Sequence, residues 1–142
     1  MAHATRENLG YLLAKASQRW NELLAEGFAA EGFPEVRPSY GSVLIPLFEE
    51  DDLRMGEIAS RARLTKQTIT TLVGLCERDG LVERRPDPED GRATIVSLTP
   101  HARRFEPAAE RVLAKLDREV AAQLGPRRRA TLQGALTALA DL

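Results

Sequence analysis

The run from Leu64 to Gly80 constrains the chain most, because it reads as one short helix marked at both ends. Thr65 is a good N-cap, since its hydroxyl can accept a bond from an amide one turn in. Gly80 is a good stop, because glycine takes the left-handed C′ conformation without steric cost. Between them Ile69, Leu72, Val73 and Cys76 keep the i, i+3, i+4, i+7 spacing of a buried stripe. The opposite face carries Gln67, Thr70, Thr71, Gly74 and Arg78, with no acid. A helix that only needs solubility usually turns Glu and Lys outward. Hydroxyls, an amide and a single base outward suit base edges and phosphates in a DNA major groove. A half-buried polar surface helix fits the same residues, and this helix alone leaves the two readings even.

The flanks favour the first reading. Met55–Ala62 reads as a second short helix with Ile58, Ala59 and Ala62 on one side, and only Arg63 and Leu64 separate it from Thr65. Two short helices joined by a tight turn make a helix-turn-helix unit, whose second helix enters the groove. Downstream, Leu81–Arg85 and Arg92–Leu98 read as two strands, the second alternating Thr94, Val96 and Leu98 against Ala93, Ile95 and Ser97. The connecting Pro86–Gly91 is turn chemistry throughout. The pattern predicts a hairpin wing with Arg84, Arg85 and Arg92 near its tip.

These segments carry a family resemblance. The run from Met55 to Thr99 resembles the MarR family of bacterial winged-helix transcriptional regulators. The matching segments are Leu64–Thr68, Arg78–Arg84, Asp87–Arg92 and Val96–Pro100, specific as a set and weak singly. The remainder matches in layout only. The resemblance implies a two-fold dimer and a wing arginine, here Arg92, that reaches the minor groove with Asp90 holding it. An Asp–Arg bridge that only shapes the turn is the plainer role, and both can hold at once. Gly91 stands where many relatives carry a second basic residue. The resemblance also implies a small aromatic or phenolic effector bound where the dimerisation helices meet the winged part. Trp20, Phe28, Tyr40 and Phe105 could line such a site, although large apolar residues at helical spacing are more often core. Some members sense oxidants through a cysteine near the first helix, where this chain has none.

A chain of 142 residues is expected to form one domain. Residues 1–36 and 100–142 are expected to be dimerisation helices, with the winged helix-turn-helix over 37–99. The fold class expected is mostly α with a small β wing. The net charge is −1, but it is unevenly spread. Residues 1–53 hold four Lys/Arg against nine Asp/Glu, residues 54–104 ten against seven, and residues 105–142 six against five. The basic segment is the one proposed to meet DNA, and its small excess predicts moderate salt dependence. One cysteine excludes an intrachain disulfide. The N-terminus shows no signal peptide and no apolar run approaches a bilayer span, so a cytoplasmic protein is expected.

Along the chain, residues from about Thr5 to Ala30 read as an amphipathic helix with the stripe Leu9, Leu12, Leu13, Ala16, Trp20, Leu23 and Leu24, ended by Glu31–Pro34. A helix from Pro38 or Ser39 carries Tyr40, Val43, Leu44, Leu47 and Phe48, with Pro46 predicting a kink or an early end. Glu49–Asp52 reads as a solvated acidic loop. Thr99-Pro100 opens a helix with the stripe Phe105, Ala109, Val112, Leu113, Leu116 and Val120, which Pro107 should bend. Gly125-Pro126 separates a last helix with Leu132, Ala135, Leu136, Leu139 and Leu142. The apolar faces of the terminal helices exceed what the winged core can cover. A second copy resolves this, and a two-fold dimer would set two recognition helices roughly 34 Å apart on a near-palindromic double-stranded site.

Thr65, Lys66, Gln67, Thr70 and Thr71 form the expected groove-facing set, with Gln67 suited to adenine and Lys66 to phosphate or guanine. Arg84, Arg85, Asp90 and Arg92 are the expected wing contacts. Cys76 reads as core filler. His3 and His101 stand alone, without metal spacing, and His101 is expected in solvent. No cofactor is implied. No nucleophile–base pair, phosphate loop or metal cluster is visible, so an enzyme ranks last. The expectation is a homodimeric DNA-binding regulator, a repressor released by a small ligand. The alternative is a winged-helix module that binds protein.

Overall fold

The computed structural model describes residues 4–142, and His3 lies outside them. The described residues form six α-helices and a small three-stranded sheet. Helix α1 spans Leu9–Ala30. It starts later than Thr5 because Asn8 caps it, its Oδ1 accepting from the amides of Gly10 at 2.9 Å and Tyr11 at 3.3 Å. It stops where expected. Gly32 has φ +93°, and the Phe33 amide donates back to the Phe28 carbonyl at 2.9 Å.

A 3₁₀ turn over Pro38–Tyr40 leads into α2 (Gly41–Glu49). The early end expected at Pro46 does not occur, because Val43, Leu44 and Leu47 are buried on both sides of it and hold the helix through to Glu49. Strand β1 (Leu53–Arg54) follows and was not anticipated; two residues carry no period to detect. Helix α3 (Met55–Ala62), a left-handed Arg63 at φ 55°, and α4 (Lys66–Arg78) form the helix-turn-helix unit. The wing is β2 (Val82–Asp87) and β3 (Asp90–Leu98). Its turn is tighter than Pro86–Gly91, since the ladder continues to Asp87 opposite Asp90. All pairings are antiparallel, in the order β1-β3-β2.

Helix α5 (Pro100–Leu124) opens on Thr99, whose hydroxyl accepts from the Ala102 amide at 3.2 Å. It runs through Pro107, which faces solvent, where water can reach the Arg103 carbonyl left without its usual donor. Gly125 at φ +86° separates it from α6 (Pro126–Ala140). One hydrophobic cluster joins Leu24 and Phe28 of α1 to Val43 and Leu47 of α2, Ile58 of α3, Ile69 and Val73 of α4, Val96 of β3, and Phe105 and Val112 of α5.

The acidic loop is not merely solvated. Asp51 accepts the Leu98 amide at 3.0 Å and pairs with Arg103 at 3.0 Å. Asp52, at φ 58°, accepts the Ser97 hydroxyl and lies 3.4 Å from Arg85. Glu50 pairs with Arg61. The loop therefore ties the base of the wing to the start of α5. The apolar stripes of α1 and α6 are largely uncovered in the single chain: Leu9, Leu12 and Leu13 of α1 are exposed, and α6 buries no residue.

Candidate nucleic-acid interface

Helix α4 is built as its ends require. The Thr65 hydroxyl accepts the Thr68 amide at 3.1 Å and donates to the Thr68 hydroxyl at 2.8 Å. At the other end Gly80 has φ +77°, its amide donates to the Glu77 carbonyl at 3.0 Å, and the Leu81 amide donates to the Cys76 carbonyl at 2.9 Å. This paired closure satisfies carbonyls that a helix end otherwise leaves open. Ile69, Val73 and Cys76 are fully buried, which fixes the opposite face outward.

That outward face holds the expected set. Thr65, Lys66, Gln67, Thr70 and Thr71 are all exposed. The hydroxyls of Thr70 and Thr71 donate to the carbonyls of Lys66 and Gln67, at 2.8 and 3.1 Å. Their hydroxyl hydrogens are spent on the backbone, so these threonines have acceptor lone pairs and methyl groups to offer a partner.

A groove of about 420 Å³ brings the helix and the wing together. Its walls include Lys66 and Thr70 of α4, Arg54 before α3, and Arg84 and Arg92 of the wing. Glu57 lines the same face, and Arg54, Arg84 and Arg92 pair with Asp87, Glu77 and Asp90, so the excess of positive charge there is small and a polyanion must compete with these carboxylates.

The wing arginines differ in what holds them. Arg92 is at the tip with a 93% exposed side chain. Asp90 Oδ1 accepts its backbone amide at 3.1 Å and its Nε at 3.3 Å, so the carboxylate steers the guanidinium without burying it. Arg84 and Arg85 sit further from the tip than expected, opposite Val96 and Ile95. Arg84 pairs with Glu77 at the end of α4 at 2.8 Å, and its guanidinium holds the Glu77 carboxyl below the usual range. Arg85 donates to the Ser97 hydroxyl beside Asp52. Reasoning from sequence missed Arg54, an isolated basic residue just before a helix. Its partner Asp87 lies far along the chain, and they pair at 2.6 Å.

The four residues named for an effector site separate by environment. Phe28 and Phe105 are buried and meet edge to face at 4.9 Å, and Phe33 meets Phe105 at 5.2 Å. Tyr40 is fully buried, with its hydroxyl bonded to Asp79. Trp20 instead lines an apolar groove of about 330 Å³ with Leu23, Leu116, Val120 and Leu124. His101 is not free in solvent: its Nε2 lies 2.6 Å from Glu35 Oε1 and its ring tilts over Phe33. Cys76 is core, and burial pushes its thiol up to about 12. Among the described residues, no three His, Cys, Asp or Glu side chains are placed to hold a metal ion, and no helix is long and apolar enough to cross a membrane.

A helix-turn-helix followed by a two-stranded wing on a three-stranded sheet defines a winged-helix protein. A sequence profile of the MarR family matches residues 47–93. The winged part of the chain is thus similar to the MarR family. It is 36% identical over 85 residues to the HTH-type transcriptional repressor YetL of Bacillus subtilis, covering 58% of this chain and 49% of that protein. The chain thus spans about half the length of this curated relative. Among solved structures, the transcriptional repressor CouR bound to a 23-mer DNA duplex superposes with a TM-score of 0.81 at 26% identity, covering 98% of this chain and 99% of that one. The PcaV regulator of Streptomyces coelicolor, in complex with its natural ligand, shares the fold with a TM-score of 0.84 at 24% identity, covering 99% and 98%. The relatives are named as transcriptional regulators, not enzymes.

Proposed function

We propose that the protein is a homodimeric, sequence-specific DNA-binding transcriptional regulator, a repressor relieved by a small-molecule effector. The observation that carries this reading is the shared groove: the outward face of α4, with Lys66 and Thr70, and the wing arginine Arg92 border one concavity. The side chains of Gln67 and Lys66 are exposed on this face and meet base edges and phosphates. The DNA-bound relative CouR supports the same partner for this chain.

The uncovered apolar faces of α1 and α6 support dimerisation. A second copy would cover them and place two recognition helices roughly 34 Å apart, on a near-palindromic operator. Relief by an effector requires a ligand with different affinities for two spacings of those helices. The ligand-bound relative PcaV supports an effector, and the aromatic group of Phe28, Phe33 and Phe105 joins α1 to α5 where such a ligand could bias the spacing.

The test is fluorescence anisotropy against a duplex from upstream of the gene, titrated with salt, for wild type and Arg92→Ala. Tight binding that falls with salt and weakens in the mutant is the expected result. No binding to this duplex or to a random-sequence pool at low salt would sink the reading and leave the protein-binding module. An effector response unchanged in Trp20→Ala and Phe105→Leu would remove these residues from the ligand site.

A further inference from the structure

The wing carries a carboxylate that the proposed DNA contact does not use. Asp87 is 5% exposed, although its neighbours Pro86, Pro88 and Glu89 are all exposed. A carboxylate gives up hydration on burial and persists there only when paired and hydrogen-bonded. Arg54 supplies the pair, with Nη2 2.6 Å from Oδ2. Oδ1 accepts the Glu89 amide at 2.9 Å and closes the turn.

The two partners lie on opposite edges of the sheet. Arg54 is the last residue of β1 and stands opposite Ile95 of the central strand, part-way along the wing and level with Arg85 of β2. Asp87 is the last residue of β2 and stands opposite Asp90, at the tip. A bulge between Pro86 and Asp87 bends the strand there, which re-aims the side chain. The ion pair therefore crosses the sheet and joins its middle to the wing tip. Asp90 is also the residue that holds Arg92.

We propose that Asp87 is a positioning residue: through Arg54 it straps the wing tip to the start of α3, and so sets where Arg92 meets DNA. This rests on the DNA-binding reading above. A hairpin tip with polar outer faces has few packing contacts to fix its angle. The strap replaces them and ties the wing to the first helix of the helix-turn-helix unit, which begins at Met55.

The test uses the full chain with Asp87→Asn, which keeps the acceptor for the Glu89 amide and removes only the charge. Amide hydrogen exchange of the free protein is read at Glu89 and Arg92. DNA binding is read by anisotropy for Asp87→Asn, Arg92→Ala and the double variant. The expected results are faster exchange at the tip and a several-fold loss of affinity for Asp87→Asn. In the Arg92→Ala background the same change should cost nothing further, because its effect passes through Arg92. Losses that multiply, or tip exchange identical to wild type, would overturn the strap. Wild type that binds no DNA would instead remove the functional reading, and with it the presenting role. If Asp87→Asn does not fold, Arg54→Gln is carried through the same measurements.

Discussion

The phenol of Tyr40 donates to Asp79 Oδ2 at 2.5 Å, joining the turn before α2 to the C-cap of the recognition helix. The bond holds the Asp79 carboxyl below its ordinary range, with Arg78 adding to the effect. Burial pushes the Tyr40 hydroxyl up, and Asp79 pushes it further. Tyr40→Phe should lower stability by about 1–3 kcal/mol at neutral pH, the usual cost of losing a bond to a charged group. Because the folded carboxyl is lowered, its contribution is present above the unfolded value of about 3.9 and is lost as pH falls through the folded value. Urea melts of wild type and variant should differ at pH 7 and converge in acid. A difference that grows in acid would contradict the assignment.

Cys76 should be inert in the native protein. Its thiol is fully buried and pushed up to about 12 by burial, with the Asp79 charge contributing, so little thiolate exists at pH 8. A disulfide reagent should label it only after denaturant is added. Stoichiometric labelling of the folded protein on the timescale of a free thiol would show that this part of α4 opens readily.

Two glycines should respond in opposite directions to alanine. A Cβ on Gly27 would lie 2.5 Å from Val112 Cγ1, where α1 crosses α5, so Gly27→Ala should destabilise by about 1–3 kcal/mol. Val112→Ala in the same chain should recover part of that loss. A Cβ on Gly74 meets nothing within 4 Å, so Gly74→Ala should stabilise α4 by about 0.4–1 kcal/mol. Thermal melts of the three variants check both signs.

Gly80 at φ +77° ends α4, and its conformation allows the Leu81 amide to return to Cys76. Gly80→Ala has open space around it yet should cost about 1–2 kcal/mol, from backbone strain alone. Gly80→Asn should cost less than alanine, since asparagine tolerates this region. Equal stability of alanine and glycine here would show that the helix end relaxes.

The recognition helix was legible because its signals are local. Thr65, the Ile69–Cys76 stripe and Gly80 all act within the helix they define. The wing was legible from the alternation around Val96 and the turn residues before Arg92. What stayed hidden depends on partners distant in sequence. Asp51 and Asp52 read as loop because Ser97, Leu98 and Arg103, which hold them, come 45, 47 and 52 residues later. Arg84 and Arg85 read as DNA contacts near the wing tip, because nothing in the sequence marks Glu77 and Asp52 as their partners. Pro46 read as a kink or an early end because propensity knows nothing of Val43 and Leu47 packed beside it.

Helix α6 buries none of its residues within one chain, and Leu132, Leu136 and Leu139 stand exposed along it. An isolated helix of 15 residues is marginal in water. If a second molecule covers that surface, as proposed, the free energy holding α6 in place enters through mass action. The melting temperature of this protein then becomes a function of its own dilution, and a cell sets the rigidity of the terminal helices by how much of the protein it makes.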